Sequence, residues 1–259
     1  MSTPIPLEAN PPPELKAVRG LVFDLIGTCT NWHSAVSTCL KAHAQRSNDP
    51  RIRSKSSQDW DHFAHLWRSA FFKLVAKLAD KDEMMDMSKV YQETLRMVMK
   101  ETEIDEGDWD EKIQQDLLRS WQVVDAWGDT AAGLQLLRQK FIVIGLSNGA
   151  LTTTIAVNKH NGLHYDALLS SDMIGTYKPN KKMYESAINL LKATDNPGEL
   201  AMVAAHAYDT DAAAKHGMKT IYIKRVTEDM DTDLSKHKFD LMIDEGGLVE
   251  LARRLGCKV

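Results

Sequence analysis

Hydrophobic residues are concentrated in six short runs, each flanked by polar or turn-forming residues. Apolar runs of this length are typical of strands that are covered on both faces. From Phe141 onward the runs alternate with segments whose apolar residues recur at helical spacing, such as KKMYESAINLLKA. This alternation predicts an α/β fold with a parallel sheet and helices on both faces. The six runs are RGLVFDL, FIVIGLS, DALLSSD, LAMVAA, KTIYIK and DLMID.

A long stretch between the first and second runs has almost no strand pattern. DWDHFAHLWRSAFFKLVAKL and MSKVYQETLRMVMKE repeat apolar residues at helical spacing. We therefore predict a helical domain over residues 34–120, inserted into an α/β core made of residues 15–33 and 121–259. The proline-rich residues 1–14 are expected to form an extended arm. Methionines are frequent between residues 84 and 99, and they fit either an adaptable pocket or plain packing between helices.

Composition limits the classes of function. The apolar fraction of 43% and the charged fraction of 26% are ordinary for a globular protein. A net charge of −4 provides no basic surface for nucleic acid. The three cysteines form neither a disulfide framework nor a metal-binding pattern, which favours a reducing, cytoplasmic location. No apolar run is long enough to span a membrane, and the N-terminal residues lack the layout of a signal peptide.

Polar side chains follow several of the predicted strands at the point where each strand ends. Because the carboxyl ends of parallel strands meet at one edge of a sheet, we expect these side chains to line a common cleft. Each residue type also has a simpler explanation, since Ser and Asn cap helices and Asp begins turns. Their coincidence at successive strand ends indicates an active site. The residues are Asp24, Ser147, Asn148, Lys178, His206 and Asp209.

This set of motifs, in this order, resembles the haloacid dehalogenase superfamily, and most closely its L-2-haloacid dehalogenase branch. The resemblance covers nearly the whole chain after the N-terminal arm. It implies a Rossmann-like core with an inserted helical cap domain. The motifs that carry it are FDLIGT, LWR, LSNG, YKPNKKMYE and AAHAYD.

The resemblance also implies catalytic roles. Asp24 would be a nucleophile that attacks the halogen-bearing carbon of a small 2-halo acid and forms an ester, which water then hydrolyses. Lys178 would keep Asp24 ionised, since a nearby cation favours the charged form of an acid. Asp209 would orient Lys178 and the hydrolytic water, and Tyr184 would support the same network. His206 occupies a position where the family has an asparagine.

Substrate-binding roles follow from the same resemblance. Arg68, in the LWR motif of the helical domain, would receive the departing halide, assisted by Asn148. Ser147 and the N-terminus of the following helix would hold the substrate carboxylate. Members of this branch are commonly dimers, so a homodimer is expected.

Two apolar residues argue against the phosphatase activity that is common in the superfamily. Phosphate-ester hydrolysis requires an acid two residues after the nucleophile to protonate the leaving alkoxide, and that residue is Ile26. The magnesium-dependent phosphatases also use an acid pair near the fourth strand, and Ala205 stands at the first of these positions. We therefore expect neither a metal nor another cofactor.

Two other functions remain open at this point. The same pocket could act as an acid–base isomerase that rearranges an epoxide-like intermediate in fungal secondary metabolism of the alkaloid type. Asp24, if protonated, or His206 would then donate a proton to the epoxide oxygen. The fold could also serve as a non-catalytic module that binds a small molecule.

Overall fold

The computed structural model describes residues 11–258. These residues contain eight strands: β1 Gly20–Phe23, β2 Thr30–Asn31, β3 Asp125–Ala126, β4 Ile142–Ser147, β5 Ala167–Ser170, β6 Leu200–Ala204, β7 Lys219–Ile223 and β8 Leu241–Ile243. Six of them form one parallel sheet in the order β5-β4-β1-β6-β7-β8. The prediction of an α/β fold with a parallel sheet is confirmed.

Helices cover both faces of this sheet because its strands are apolar on both sides. One face packs under α6 (Thr130–Leu137) and α11 (Gly247–Arg254), where Leu134, Leu248 and Leu251 are buried. The other face packs against α9 (Lys181–Leu190) and α10 (Ala207–Ala214). The remaining helices of the core are α7 (Leu151–Asn161) and α8 (Ser171–Ile174).

The helical insertion runs from Trp32 to Ser120 and has a hydrophobic core of its own. Its entrance and exit are joined by the short antiparallel pair of β2 and β3. The long helix α3 begins with a capping box in which Ser56 and Asp59 satisfy each other's backbone N–H groups. The five helices are α1 Trp32–Arg46, α2 Pro50–Arg53, α3 Ser57–Asp80, α4 Met87–Glu101 and α5 Glu111–Ser120.

The N-terminal segment is described only from residue 11 onward. Residues 1–10 of the predicted extended arm lie outside the described part of the chain. Pro13–Leu15 form a single turn of 3-10 helix, and the Leu15 side chain is buried in the core beneath the sheet. In the part of the chain that the structure describes, no helix is long and apolar enough to cross a membrane.

Candidate active site

An ammonium group lies between two carboxylates at the carboxyl edge of the sheet. Asp24 follows β1 directly, and Asp209 lies in the first turn of α10. Lys178 Nζ is 2.7 Å from Oδ1 of Asp24 and 2.6 Å from Oδ2 of Asp209. The lysine side chain is only 1% exposed, so this pairing is shielded from solvent. The two negative charges raise the pKa of Lys178 above its usual value despite its burial, which would lower it.

Asp209 is the more enclosed of the two acids. The Tyr184 hydroxyl donates to its Oδ1 at 2.7 Å, so both carboxylate oxygens accept hydrogen bonds. Burial and the charge of Asp24 raise the pKa of Asp209 above its ordinary value, although Lys178 opposes this shift.

Asp24 Oδ2 faces two further groups. The Thr28 hydroxyl donates to this oxygen at 2.7 Å, and the same hydroxyl accepts from the backbone N–H of Ala205 at 2.8 Å. His206 Nδ1 lies 3.2 Å from Oδ2, a longer contact than the roughly 2.8 Å of a well-formed charge-assisted hydrogen bond. Burial alone would raise the pKa of Asp24, yet Lys178 and His206 outweigh it and hold this pKa well below the ordinary value. Asp24 is thus an ionised carboxylate.

His206 is also bound on its other side. Its Nε2 lies 2.7 Å from Oε2 of Glu228, a buried acid in the loop after β7. Burial alone would lower the pKa of His206, but the contacts with Asp24 and Glu228 raise it to about 10. The pKa of Glu228 falls to about 2 because the contacts with His206 outweigh its burial. The imidazole is therefore charged at neutral pH.

The loop after β4 supplies the predicted serine and asparagine. The Ser147 hydroxyl accepts from the Gly149 N–H at 2.9 Å and keeps its own hydrogen free to donate. The Asn148 side chain instead binds the main chain of Lys178, accepting from its N–H at 2.6 Å and donating to its carbonyl at 3.2 Å. Asn148 thus holds the lysine loop in place, a role that its motif did not indicate.

Arg68 reaches the site from α3, opposite the sheet edge. Its guanidinium lies 4.4 Å from the centroid of the Phe72 ring and within 6 Å of three other aromatic rings. Nη2 donates to the Ile26 carbonyl at 3.0 Å, whereas Nε is buried without a partner. Among residues 11–258 no carboxylate lies within 4 Å of this guanidinium. Arg68 is a buried cation with unused capacity to bind an anion.

A small cavity of about 20 Å³ separates Arg68 from the sheet edge. This volume holds little more than one water molecule. None of the methionines between residues 84 and 99 lines it: Met87 and Met99 are packed between helices, and Met97 is exposed. The lining residues are Asp24, Ile26, Arg68, Phe71, Phe72, Tyr91, Ser147, Asn148, Gly149, His206 and Tyr208.

The donor set at the sheet edge does not fit a divalent cation. Lys178 Nζ already occupies the position between the carboxylates of Asp24 and Asp209. Ala205 places an apolar side chain where an acidic metal ligand would be needed. Within the described residues no cluster of three His, Cys, Asp or Glu side chains has an arrangement suited to a metal.

The structure thus brings all eight predicted residues to one region, with five lining the cavity and Lys178 and Asp209 directly behind it. Tyr184 lies behind Asp209. Sequence reasoning missed Glu228 and did not assign a role to Thr28. Thr28 was visible in the FDLIGT motif, whereas Glu228 belongs to no motif and lies in an irregular loop.

Known proteins with similar sequences are of the haloacid dehalogenase class that the motifs of the site resemble. The sequence model of the haloacid dehalogenase-like hydrolase family matches residues 18–217. An (S)-2-haloacid dehalogenase of Pseudomonas sp. (strain YL) is 24% identical over 80% of this chain and 83% of its own length. The (S)-2-haloacid dehalogenase 4A of Burkholderia cepacia is 26% identical over 81% of this chain and 84% of its own.

A solved structure of a defluorinating L-2-haloacid dehalogenase superimposes with a TM-score of 0.81 and 26% identity. The alignment covers 95% of this chain and 99% of the other. The resemblance to the L-2-haloacid dehalogenase branch is therefore confirmed by both sequence and structure. This chain belongs to the haloacid dehalogenase-like hydrolase family.

Proposed function

We propose that this enzyme removes halide from small (S)-2-halo acids, with Asp24 as the nucleophile. One observation carries the proposal: an ionised, buried carboxylate and a buried guanidinium without a carboxylate partner among residues 11–258 line the same small cavity. The carboxylate supplies a nucleophile without a metal, and the guanidinium supplies a site for the anion that leaves. Relatives named (S)-2-haloacid dehalogenases support this choice of substrate class.

In the first step Asp24 displaces the halide from C2 of the substrate and forms an ester. Lys178 and His206 keep the carboxylate ionised, so no base is needed to activate it. Arg68 binds the departing halide among aromatic rings, where little water competes. The Ser147 hydroxyl donates to the substrate carboxylate with the hydrogen that it does not use internally.

In the second step water attacks the carboxyl carbon of the ester. We assign the proton of this water to Asp209, whose carboxylate shares Lys178 with Asp24 and therefore lies directly beside the ester. Asn148 and Tyr184 position Lys178 and Asp209 through the hydrogen bonds described above. The products are a 2-hydroxy acid, halide and the regenerated Asp24.

The size of the cavity favours a substrate of a few carbon atoms. A space of about 20 Å³ leaves no room for a polycyclic intermediate, and even a small 2-halo acid requires the helical domain to shift outward. The rearrangement of an epoxide remains the second candidate, because the charged imidazole of His206 lines this cavity and could donate a proton.

A labelling experiment distinguishes these functions. Purified protein is incubated with (S)- and (R)-2-chloropropionate in water enriched in oxygen-18, and halide is measured by ion chromatography. With protein in excess we expect halide from the (S) acid and oxygen-18 in the peptide that contains Asp24. Release of no halide from either acid, together with rearrangement of an added epoxide without solvent oxygen in the product or in Asp24, would identify the isomerase. Binding of the acid without any turnover would identify a binding module.

A further inference from the structure

Glu228 and His206 form a buried pair that the proposed steps leave partly unexplained. Both side chains are less than a tenth exposed. Glu228 Oε1 accepts from the indole N–H of Trp32 and from the Thr227 hydroxyl, while Oε2 faces His206. A Cβ atom at Gly27 would lie 2.7 Å from the Glu228 carboxyl, so glycine at this position leaves the carboxyl the space that it occupies. The fold therefore makes specific room for a carboxylate behind the imidazole.

The contacts of the imidazole define its charge. Nε2 and Nδ1 each lie against an oxygen of an ionised carboxylate, at 2.7 Å and 3.2 Å. Ionised carboxylates only accept hydrogen bonds, so both ring nitrogens must carry hydrogens. The charged or titratable groups that surround His206, from every element packed around it, are Asp24, Arg68, Lys178, Tyr208, Asp209, Glu228 and Asp229.

The position of Nδ1 points to a role in the second step. Nδ1 lies 3.2 Å from Oδ2 of Asp24 in the resting enzyme, a longer contact than the roughly 2.8 Å of a well-formed charge-assisted hydrogen bond. When water adds to the ester, the carboxyl carbon becomes tetrahedral and its oxygens move. A donor that fits this state better than the resting state accelerates the step.

We propose that Glu228 is a positioning residue which fixes His206 as an imidazolium, and that the Nδ1–H of His206 stabilises the oxyanion formed on Oδ2 during ester hydrolysis. This inference rests on the proposed dehalogenase function. The Thr28 hydroxyl, 2.7 Å from Oδ2, is the second donor to the same oxyanion. Oδ1, held by Lys178, is then the oxygen that carries the substrate carbon.

The atoms and electrons of this step balance. Water forms a bond to the carboxyl carbon and gives one proton to Asp209, while the π electrons of the carbonyl move to Oδ2. The double bond then re-forms and the bond from the carboxyl carbon to Oδ1 breaks. Oδ1 leaves in the 2-hydroxy acid and takes the proton from Asp209. Asp24 keeps Oδ2 and the water oxygen, and releases a proton to solvent.

The test measures halide release and ester hydrolysis separately in the Glu228→Gln variant. Protein in excess is mixed with (S)-2-chloropropionate, and rapid quenching follows halide release and the mass of the Asp24 peptide. We expect hydrolysis of the ester to slow by at least about tenfold at pH 8, well beyond any change in halide release, so that the adduct accumulates. Asp231→Asn, which removes an exposed acid of the same loop, is the matched control and should behave like the unchanged protein.

The pH dependence of ester hydrolysis shows whether the charge of His206 is the reason for the slower hydrolysis. In the unchanged protein, hydrolysis should be insensitive to His206 from pH 6 to pH 9. In Glu228→Gln it should fall as pH rises, because the imidazole loses one of the two carboxylates that keep it charged. NMR of nitrogen-15-labelled histidine should show the same loss of charge without any substrate. If Glu228→Gln does not fold, His206→Asn replaces it, with slow hydrolysis but no such pH dependence expected.

Different failures have different meanings. An adduct in Glu228→Gln that disappears as fast as in the unchanged protein would overturn this inference and leave the proposed function intact. So would slowing of both steps by the same factor, which indicates a merely structural role. Absence of halide and adduct in the unchanged protein would overturn both proposals.

Discussion

The two sides of the cavity differ in whether their buried charges have partners of opposite charge. At the sheet edge Asp24, Lys178, His206 and Glu228 are each within 3.2 Å of an opposite charge. On the helical side, Arg68 has aromatic rings and one backbone carbonyl around it, and within residues 11–258 no carboxylate partner. A buried charge without a partner costs several kcal/mol, so the helical side is poised to receive an anion while the sheet edge is already complete.

The largest expected loss of activity comes from a substitution at the sheet edge. Asp24→Asn keeps the size of the side chain but removes the nucleophile, and we expect halide release to fall by at least about 10⁴-fold. Single-turnover halide measurement with circular dichroism as a folding check tests this. Asp244→Asn, at the end of β8 and exposed, is the control for removing a strand-end acid. Substantial halide release by Asp24→Asn would mean that water, not Asp24, attacks the substrate.

The second prediction concerns the opposite side of the cavity. Arg68→Met removes the halide site, and we expect kcat/KM to fall by about 10²- to 10³-fold. Because the buried guanidinium has no carboxylate partner in the described part of the chain, the same change should leave stability unchanged or raise it by about 1 kcal/mol. Enzyme kinetics and urea unfolding measure the two quantities.

Arg96→Met is the control for this variant, since Arg96 lies exposed on α4. It should alter neither quantity appreciably. A marked loss of stability in Arg68→Met would show that the arginine mainly supports the packing of the helical domain. The contrast between the two sides of the cavity would then fail.

This contrast also explains which features could be predicted from sequence. The carboxyl ends of parallel strands converge whatever the loops do, so Asp24, Lys178, His206 and Asp209 could be brought together in advance. The fold class was equally accessible, because buried strands and amphipathic helices have different periodicities.

The features that sequence did not reveal depend on tertiary packing. Glu228 lies in an irregular loop, where no periodicity indicates which side chain turns inward. Phe72 and Tyr91 have helical spacing that fits ordinary core packing equally well, and only the docking of the helices onto the core brings them to the cavity. The Asn148 amide could serve a halide or a backbone, and the nearby Lys178 main chain engages it.

The smallest expected effect is a change of folding stability with pH, and it arises only from the charges at the sheet edge. The pKa of His206 is about 10 in the folded protein and about 6.5 in an unfolded chain. A raised pKa stabilises the fold fully below the unfolded value, and this stabilisation is lost as pH rises toward the folded value. The stability of the unchanged protein relative to His206→Asn should therefore fall by about 1 kcal/mol for each pH unit between pH 7 and pH 9. Urea unfolding at both pH values measures this, with the half-exposed His160→Asn as the surface control. A stability difference that does not change with pH would mean that the imidazole is neutral in the fold, and the paired charges at the sheet edge would then be incomplete.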